Sequence, residues 1–315
     1  MLNFPVPYPD ELVYSIVARA GVHAGITSPK NLLDAVFDNR HVIAIIDFPN
    51  HLLKLSAKYP PALNLTVESL IYKHTLFPAY APFIPEKRRQ ACIGLMAGAT
   101  LGAIHLAAGA AASRLKQRRH LSYCPSCLTK QFQLVGEHYW VRKWQLAGAY
   151  CCLEHGSLHE SSRERHSRHR HQFICPQPNK NSSPCSSAHT VESLCVTRFI
   201  HELLELPPMC SPHPEQWNHF YQKLARKTGC SKGKHIRFEE ISRLVLSRWS
   251  SSWLKKHNLY PEGKETCWLK EIFRKHRRSF SYLEHCIVLN VLLPGQPLQE
   301  TLEEVRGGPG CSDRK

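Results

Sequence analysis

Apolar residues recur every three to four positions along most of the chain, the spacing that puts them on one face of an α-helix. In the first part of the chain, signals for helix starts stand at Asp10, at Ser28 followed by Pro29, and at Asn50. We expect helices over residues 11–23, 31–37, 51–59, 67–75, 86–96 and 100–116. Three prolines interrupt residues 74–85, so we expect that segment to be extended.

The pattern changes after residue 118. Residues 119–190 carry cysteines, histidines, aromatic residues and short turns, and residues 160–187 have the Ser, His, Arg and Pro content of a loop. Helical periodicity returns and predicts helices over 191–206, 214–228, 237–256, 267–277 and 281–293. Residues 296–315 are polar and Gly-rich, and we expect a disordered tail. The pattern therefore predicts a mainly α, multi-domain protein: a helical N-terminal domain (1–118), a small ribbon (119–190) and a helical C-terminal domain (191–295).

Charge points to a polyanionic partner. The 315 residues contain 41 Lys and Arg against 25 Asp and Glu, a formal net charge of +16. Such an excess attracts nucleic acid, because basic side chains release the counterions condensed on a phosphate backbone. A basic protein without such a partner stays an alternative. The sequence shows no signal-peptide pattern and no apolar run of membrane-spanning length, so we expect a cytoplasmic protein associated with the nucleoid.

Thirteen cysteines in a reducing compartment indicate metal ligands and buried thiols. Cys124 and Cys127 form a C-x-x-C pair, and Cys152 and His155 form a C-x-x-H pair 25 residues later. Two such turns complete a tetrahedron of three thiolates and one imidazole, which leaves no open position for an activated water. We therefore expect one structural Zn²⁺ site in a zinc ribbon, with strands between the two pairs. The alternative is a set of unrelated thiols.

A second metal site is a weaker possibility. Cys175 and Cys185 could combine with His169, His171 or His189, but their spacing is loose and no second tight pair is present. The run HESSRERHSRHRH, which lies in the same segment, is typical of a solvated basic loop that could touch phosphate.

Basic residues concentrate in the C-terminal helical part, with tryptophan and phenylalanine among them. Short helices with an apolar face and a cationic back suit a helix-turn-helix, which places its second helix in the major groove of DNA. An ordinary amphipathic helix with a solvated face is the competing interpretation. The residues expected to contact DNA are Lys232, Lys234, Arg237, Lys270, Arg274, Lys275, Arg277 and Arg278.

The sequence offers no catalytic constellation. It lacks an acidic trio suited to magnesium-dependent DNA cleavage, a phosphate-binding G-x-x-x-x-G-K-[ST] loop and a G-x-S-x-G nucleophile elbow. A zinc deaminase would carry H-x-E beside its cysteines and keep an open coordination position. We therefore expect a binding protein with no catalytic residues.

Several blocks of this chain resemble the TniQ/TnsD family of transposon target-site selection proteins. The opening FPVPYPDELVYSIVARAG is similar to the N-terminal signature of the family, with Pro5, Pro7, Glu11, Ser15 and Arg19 in its pattern. HTLFPAYAPF resembles the next block, and YCPSCL followed by C-x-x-HG resembles the zinc-binding centre. KHIRFEEISRLV and CWLKEIFRKHRRSFSYLEHCIVLNVLLP are similar to the TnsD branch. The resemblance covers about residues 3–294.

The resemblance implies a TniQ-type N-terminal domain and a non-catalytic subunit that recognises an attachment site in double-stranded DNA. It implies recruitment of the AAA+ ATPase TnsC, which positions the transposase. The TnsD branch carries a long further C-terminal region, so this chain is expected to be a C-terminally short member that lacks part of the DNA-reading surface. Alternatives are a short adaptor between the ATPase and another targeting complex, a zinc-containing transcription regulator, and a metal-dependent nuclease.

Overall fold

The computed structural model describes residues 4–99, 103–110, 115, 117–165, 168–178, 182, 184, 190–233, 235–263, 267–274 and 278–309. These residues form two compact units. The first unit draws on residues 1–78, 91–105 and 117–208, and the second on 79–90, 106–116 and 209–315. The ribbon that the sequence pattern set apart therefore lies in the same unit as the N-terminal helices.

Helices dominate both units. The elements of the first half are α1 (Val13–His23), α2 (Pro29–Phe37), α3 (Leu52–Ser56), α4 (Val67–His74), α5 (Glu86–Ala97), α6 (Ala103–Ala107), β1 (His120–Tyr123), α7 (Pro125–Val135), β2 (Cys151–Cys152), β3 (Gly156–Ser157) and β4 (His159–Glu164). Those of the second half are α8 (Val191–Glu205), α9 (Pro214–Lys227), β5 (Ser231–Lys232), β6 (His235–Ile236), α10 (Phe238–Arg248), α11 (Ser251–Lys256), α12 (Trp268–Arg274), α13 (Tyr282–Leu292) and α14 (Leu298–Arg306). Three antiparallel pairs, β1 with β4, β2 with β3 and β5 with β6, form the sheets. The mainly α prediction is confirmed.

Helix α1 lies at the centre of the first unit, where every residue from Val13 to Gly21 is buried. Gly21 permits a close approach to α2, since a Cβ at this position would lie 3.0 Å from Leu32 Cδ2. The segment that follows α7 joins this core, because Trp140 N donates to Ser15 Oγ over 3.0 Å. The aromatic residues of the ribbon thus complete the core that the N-terminal helices begin.

Two predicted helix starts are wrong. Asp10 does not cap α1; Leu12 is the N-cap residue, and Asp10 instead has a left-handed backbone with φ 57°. Its carboxylate accepts from Arg142 Nε over 2.9 Å. Asp10 therefore binds a residue that is distant in the sequence and does not cap the helix that follows it. His51, not Asn50, precedes α3. The predicted cap at Ser28 is present, and Ser281 caps α13 in the same way, because each hydroxyl accepts a backbone N–H three residues on.

The core of the second unit is aromatic. Helix α9 packs against α12 and α14, and α10 packs against α13. Trp217 and Tyr221 stack on α9, with ring centroids 5.7 Å apart. The buried hydroxyl of Tyr221 lies 2.7 Å from His285 Nδ1 on α13, so the polar tip of the ring has a partner inside the core.

Four predicted segments of the chain differ in the structure. Residues 237–256 form two helices and not one. α10 ends at Arg248, and the Ser250 side chain accepts the backbone N–H of Trp253 and so caps α11. The expected disordered tail contains α14, which buries Leu298, Leu302 and Val305 at helical spacing. Residues 74–85 contain two short 3-10 turns, where an extended segment was expected. In the predicted helix over 100–116, the described part is helical over Ala103–Ala107.

In the part of the chain described here, no helix combines the length and the hydropathy needed to cross a lipid bilayer.

Candidate metal centre and basic residues

Two elements of the first unit carry the predicted metal ligands. Strand β1 ends at Tyr123, Cys124 is the N-cap residue of α7, and Cys127 lies in the first turn of that helix. The other pair lies on the hairpin of β2 and β3, where Cys152 pairs with Gly156 and His155 occupies the turn between them. Gly156 has φ +86°, a backbone conformation that L side chains rarely adopt. A helix N-terminus and a tight hairpin therefore present the four side chains to one point.

The four ligand atoms have the spacing of a tetrahedral zinc site. All of them lie within 4.8 Å of one another. Cys127 Sγ is 3.7 Å from Cys152 Sγ, and His155 Nδ1 is 3.6 Å, 3.3 Å and 3.6 Å from the sulfurs of Cys124, Cys127 and Cys152. Zn–S bonds of about 2.3 Å and a Zn–N bond of about 2.05 Å at the tetrahedral angle require S···S of about 3.8 Å and S···N of about 3.6 Å. The cluster can hold a metal ion.

Three thiols at this spacing cannot all ionise without a cation. Hydrogen bonding with Cys124 and Cys127 lowers the pKa of Cys152, whereas hydrogen bonding with Cys124 raises the pKa of Cys127. The protein alone therefore favours one thiolate at the expense of its neighbours. A divalent cation would stabilise all three thiolates, and the N-terminus of α7 adds a positive dipole beside Cys124 and Cys127.

The surroundings of the cluster differ from the strands predicted between the two pairs. That segment consists of α7 and a 3-10 turn over Arg142–Trp144. Trp140 and Trp144 are buried, but the Phe132 side chain on α7 is 58% exposed. The strand prediction fails because α7 begins at a helix-favouring Pro125 directly after Cys124.

The other cysteines are placed away from the cluster. Cys151 Sγ lies 3.2 Å from Thr197 Oγ1 on α8, so this thiol belongs to the packing of the unit. Burial raises the pKa of Cys175 to about 12. Among the described residues, the Cys124–His155 cluster is the one group of three or more metal-ligating side chains. Cys185 and His189, part of the second-site possibility, lie outside the described residues.

A buried ion-pair network holds α7 against the start of the chain. Arg19 Nη1 lies 2.7 Å from Glu11 Oε2, and Arg19 Nη2 lies 2.7 Å from Glu137 Oε1. The Tyr8 hydroxyl donates to Glu137 over 2.7 Å, and His23 Nε2 lies 2.8 Å from the other oxygen. Glu137 directly follows Gly136, the C-cap residue of α7. The network therefore fixes the helix that carries Cys124 and Cys127.

Two residues that hold the elements of the first unit together, Glu137 and Arg142, were not predicted from the sequence. The Arg142 side chain is 5% exposed, and its guanidinium donates to the backbone oxygens of Tyr72 and Leu204, over 2.6 Å and 2.7 Å. Burial lowers the pKa of Arg142, while Asp10 opposes that shift. The partners of Arg142 are 62 to 132 positions away along the chain, and no local spacing signals contacts at that separation.

The second unit carries the predicted DNA-contacting residues. Lys232 on β5, Arg237 before α10 and Arg274 at the end of α12 are exposed. Lys270 is half-buried, and its Nζ lies 4.6 Å from the centre of the Phe238 ring. Lys234, Lys275 and Arg277 lie outside the described residues.

Arg278 has a different environment from the exposed basic residues. Its guanidinium lies 3.0 Å from Glu271 Oε2 and 2.9 Å from Glu284 Oε1. Two carboxylates therefore neutralise this charge, and Glu284 also completes the capping box of α13 with Ser281. The geometry makes Arg278 a residue that connects α12 to α13.

Comparison with known proteins gives two matches. Residues 2–158 match the sequence model of the TniQ family, so all four ligands of the metal cluster fall within the matched region. The chain is also 43% identical over 307 residues to the transposon Tn7 transposition protein TnsD of Escherichia coli. That alignment covers 96% of this chain and 60% of the relative, so the chain spans about three fifths of the relative's length.

Proposed function

Because the chain belongs to the TniQ/TnsD family, we propose that it is a DNA-binding subunit that selects the target site of a bacterial transposon. The observation that carries the proposal is the 43% identity with a transposition protein along 96% of this chain. Similarity of that extent includes the second unit with its exposed basic residues. The protein would act at chromosomal DNA and would have no catalytic activity of its own.

The ion proposed for the Cys124, Cys127, Cys152 and His155 cluster is Zn²⁺. Three thiolates and one imidazole form a soft donor set that suits zinc, and four protein ligands close its coordination sphere. Its role would be structural: it would join the N-terminus of α7 to the hairpin of β2 and β3. The ion would not activate water, because no coordination position stays open.

Contact with DNA is proposed for the second unit. Lys232, Arg237 and Arg274 are exposed, and no carboxylate among the described residues forms an ion pair with them. Such side chains can neutralise phosphates and release counterions. Helices α10 and α11 follow each other across Trp249 and Ser250, an arrangement compatible with a helix-turn-helix. Lys270 and the residues at 234, 275 and 277 would extend this basic region, and Arg278 would position α12 beside α13.

The proposed partner is the AAA+ ATPase TnsC, which would connect the bound chain to the transposase. The first unit, which contains the TniQ match, is the proposed docking region. The test is copurification of the tagged chain with the AAA+ protein encoded in the same transposon, with and without target DNA. Retention of the ATPase supports the proposal, whereas its loss under both conditions favours a transcription regulator that has no part in transposition.

A further inference from the structure

A second basic feature lies in the first unit and shares no residue with the metal cluster. A cavity of about 320 Å³ is lined by residues 43–47 and by His105, Arg163, Arg165 and Arg170. Residues 43–46 are Ile, Ala, Ile and Ile, so one wall is apolar while the other carries three guanidinium groups. An apolar wall strengthens the attraction between an anion and these cations by lowering the local dielectric constant.

Arg165 forms the fixed part of the basic wall. Its side chain is 2% exposed, Nη1 pairs with Asp47 and Nη2 donates to the backbone oxygen of Gln145. Its Nε is buried and has no hydrogen-bond acceptor among the described residues.

Arg163 supplies a charge that no carboxylate among the described residues balances. Its Nη2 donates to the backbone oxygen of Gln172 over 2.7 Å, and its guanidinium carbon lies 5.8 Å from the centre of the Tyr14 ring. Its Nε is also buried without an acceptor in the described part of the chain. The side chain is thus positioned by neutral groups and keeps its full positive charge toward the cavity.

Arg170 lies at the exposed edge of the cavity. Its backbone oxygen accepts from Ala44 N over 2.8 Å, and His171 Nδ1 lies 2.7 Å from the backbone oxygen of Val42. These bonds fix the backbone while the guanidinium stays exposed, and no carboxylate of the described chain forms an ion pair with it. Since the Asp47 carboxylate forms an ion pair with Arg165, the charges of Arg163 and Arg170 are both available to a ligand.

We propose that this cavity is a phosphate-binding site in which Arg163 and Arg170 bind the anion beside the fixed guanidinium of Arg165. Guanidinium forks match the oxygens of a phosphate group in geometry and in charge. The phosphate can come from a DNA backbone or from a soluble phosphate ester. If the phosphate belongs to a DNA backbone, the inference rests on the proposed function of the chain. Binding of a soluble phosphate ester does not depend on that function.

The first test titrates inorganic pyrophosphate into the full-length chain by calorimetry at low ionic strength. The cavity variant is R163Q/R170Q, and R170Q alone serves as a second variant because its side chain is exposed. The matched control is R40Q/R119Q, which removes the same charge from exposed residues of the same unit that already pair with Asp34 and Glu164. We expect binding by the wild type and the control, and at least about tenfold weaker binding by the cavity variants, because they can no longer form charge-assisted hydrogen bonds to the anion.

The second test measures the affinity of the same proteins for duplex DNA over a range of salt concentrations. If the site binds the DNA backbone, the salt slope of the cavity variant is smaller by about 0.9 for each phosphate that the variant no longer neutralises. Weaker pyrophosphate binding with unchanged DNA slopes assigns the site to soluble phosphate esters. Equal behaviour of the cavity and control variants in both measurements overturns the proposal. A wild type that does not bind DNA contradicts the proposed function and leaves the pyrophosphate result as the test of the cavity.

Discussion

Cys151 and Cys152 are consecutive in the chain, yet their thiols serve different parts of the first unit. Cys152 Sγ lies 3.7 Å from Cys127 Sγ, whereas Cys151 Sγ lies 3.2 Å from Thr197 Oγ1 on α8. Successive side chains of a strand point to opposite faces, and β2 comprises these two residues. One strand therefore connects the metal cluster on one face to the helical core on the other.

The metal cluster gives the first prediction. Cys124→Ser should abolish zinc binding and lower the melting temperature, because it removes a thiolate from a four-ligand site. Cys151→Ala, one residue from a ligand, should retain about one zinc per chain, since its thiol does not belong to the cluster. The measurement is metal content by mass spectrometry of purified protein, paired with thermal unfolding. Equal zinc in the two variants would refute the assignment of ligands.

The buried carboxyl of Glu11 gives a prediction for pH. Burial raises its pKa from 4.5 to about 7, in spite of the nearby Arg19 guanidinium. The folded protein therefore binds this proton more tightly than the unfolded chain. The contribution of Glu11 to stability is complete below about pH 4.5 and is lost as the pH rises toward 7. Glu11→Gln removes this dependence.

Urea unfolding of the wild type and Glu11→Gln over the range from about pH 4 to about pH 8 checks the prediction. We expect the free energy of unfolding of the wild type to fall relative to the variant as the pH rises through that range. Asp34→Asn is the control, because Asp34 is a surface partner of Arg40. A constant difference in unfolding free energy between wild type and Glu11→Gln at every pH would contradict the raised pKa of Glu11.

The basic residues of the second unit give a prediction for DNA binding. Arg237→Gln combined with Arg274→Gln should weaken binding to any duplex and reduce the salt slope by about 0.9 for each phosphate that is no longer neutralised. Lys223→Gln combined with Lys227→Gln removes the same charge from the same unit, but both lysines lie within 4.0 Å of Glu304. Fluorescence anisotropy at several salt concentrations compares the two. Similar losses of affinity in both variants would mean that net charge, and not this surface, governs binding.

Helix α14 gives a prediction for stability. Leu302 is fully buried against the second unit, so Leu302→Ala should cost about 2–5 kcal/mol of unfolding free energy. Leu134→Ala on α7 is the comparison, because the Leu134 side chain is 82% exposed and its truncation should change stability by less than about 0.5 kcal/mol. Chemical denaturation measures both. A Leu302→Ala protein as stable as the wild type would show that α14 does not belong to the folded unit.

The sequence predicts the metal cluster because its information is local. Each ligand pair lies on one turn, and residue types with that spacing are selected by coordination geometry. The helices were predicted for the same reason, since their period is visible within a single window. Predicted helix starts were less accurate where the expected cap residue contacts a residue that is distant in the sequence. Asp10 is an example, because its carboxylate forms an ion pair with Arg142.

Contacts between residues that are distant along the chain could not be predicted from the sequence. Glu137 is 118 positions from Arg19, and Arg165 is 118 positions from Asp47, so no spacing rule connects them. Charge clustering also gave no sign that Arg278 lies within 3.0 Å of two carboxylates in the folded chain. Composition shows that a basic region exists, but only the structure shows which of its charges are already paired.

Selection of a DNA target is the central claim, and footprinting tests it most directly. The purified chain is incubated with sheared genomic DNA at physiological salt and excess competitor, and the bound fragments are sequenced and footprinted. We expect one sharply protected site, and loss of that protection when Arg237 and Arg274 are replaced by Gln. Diffuse protection that vanishes with added salt, equal on all fragments, would contradict target selection by this chain.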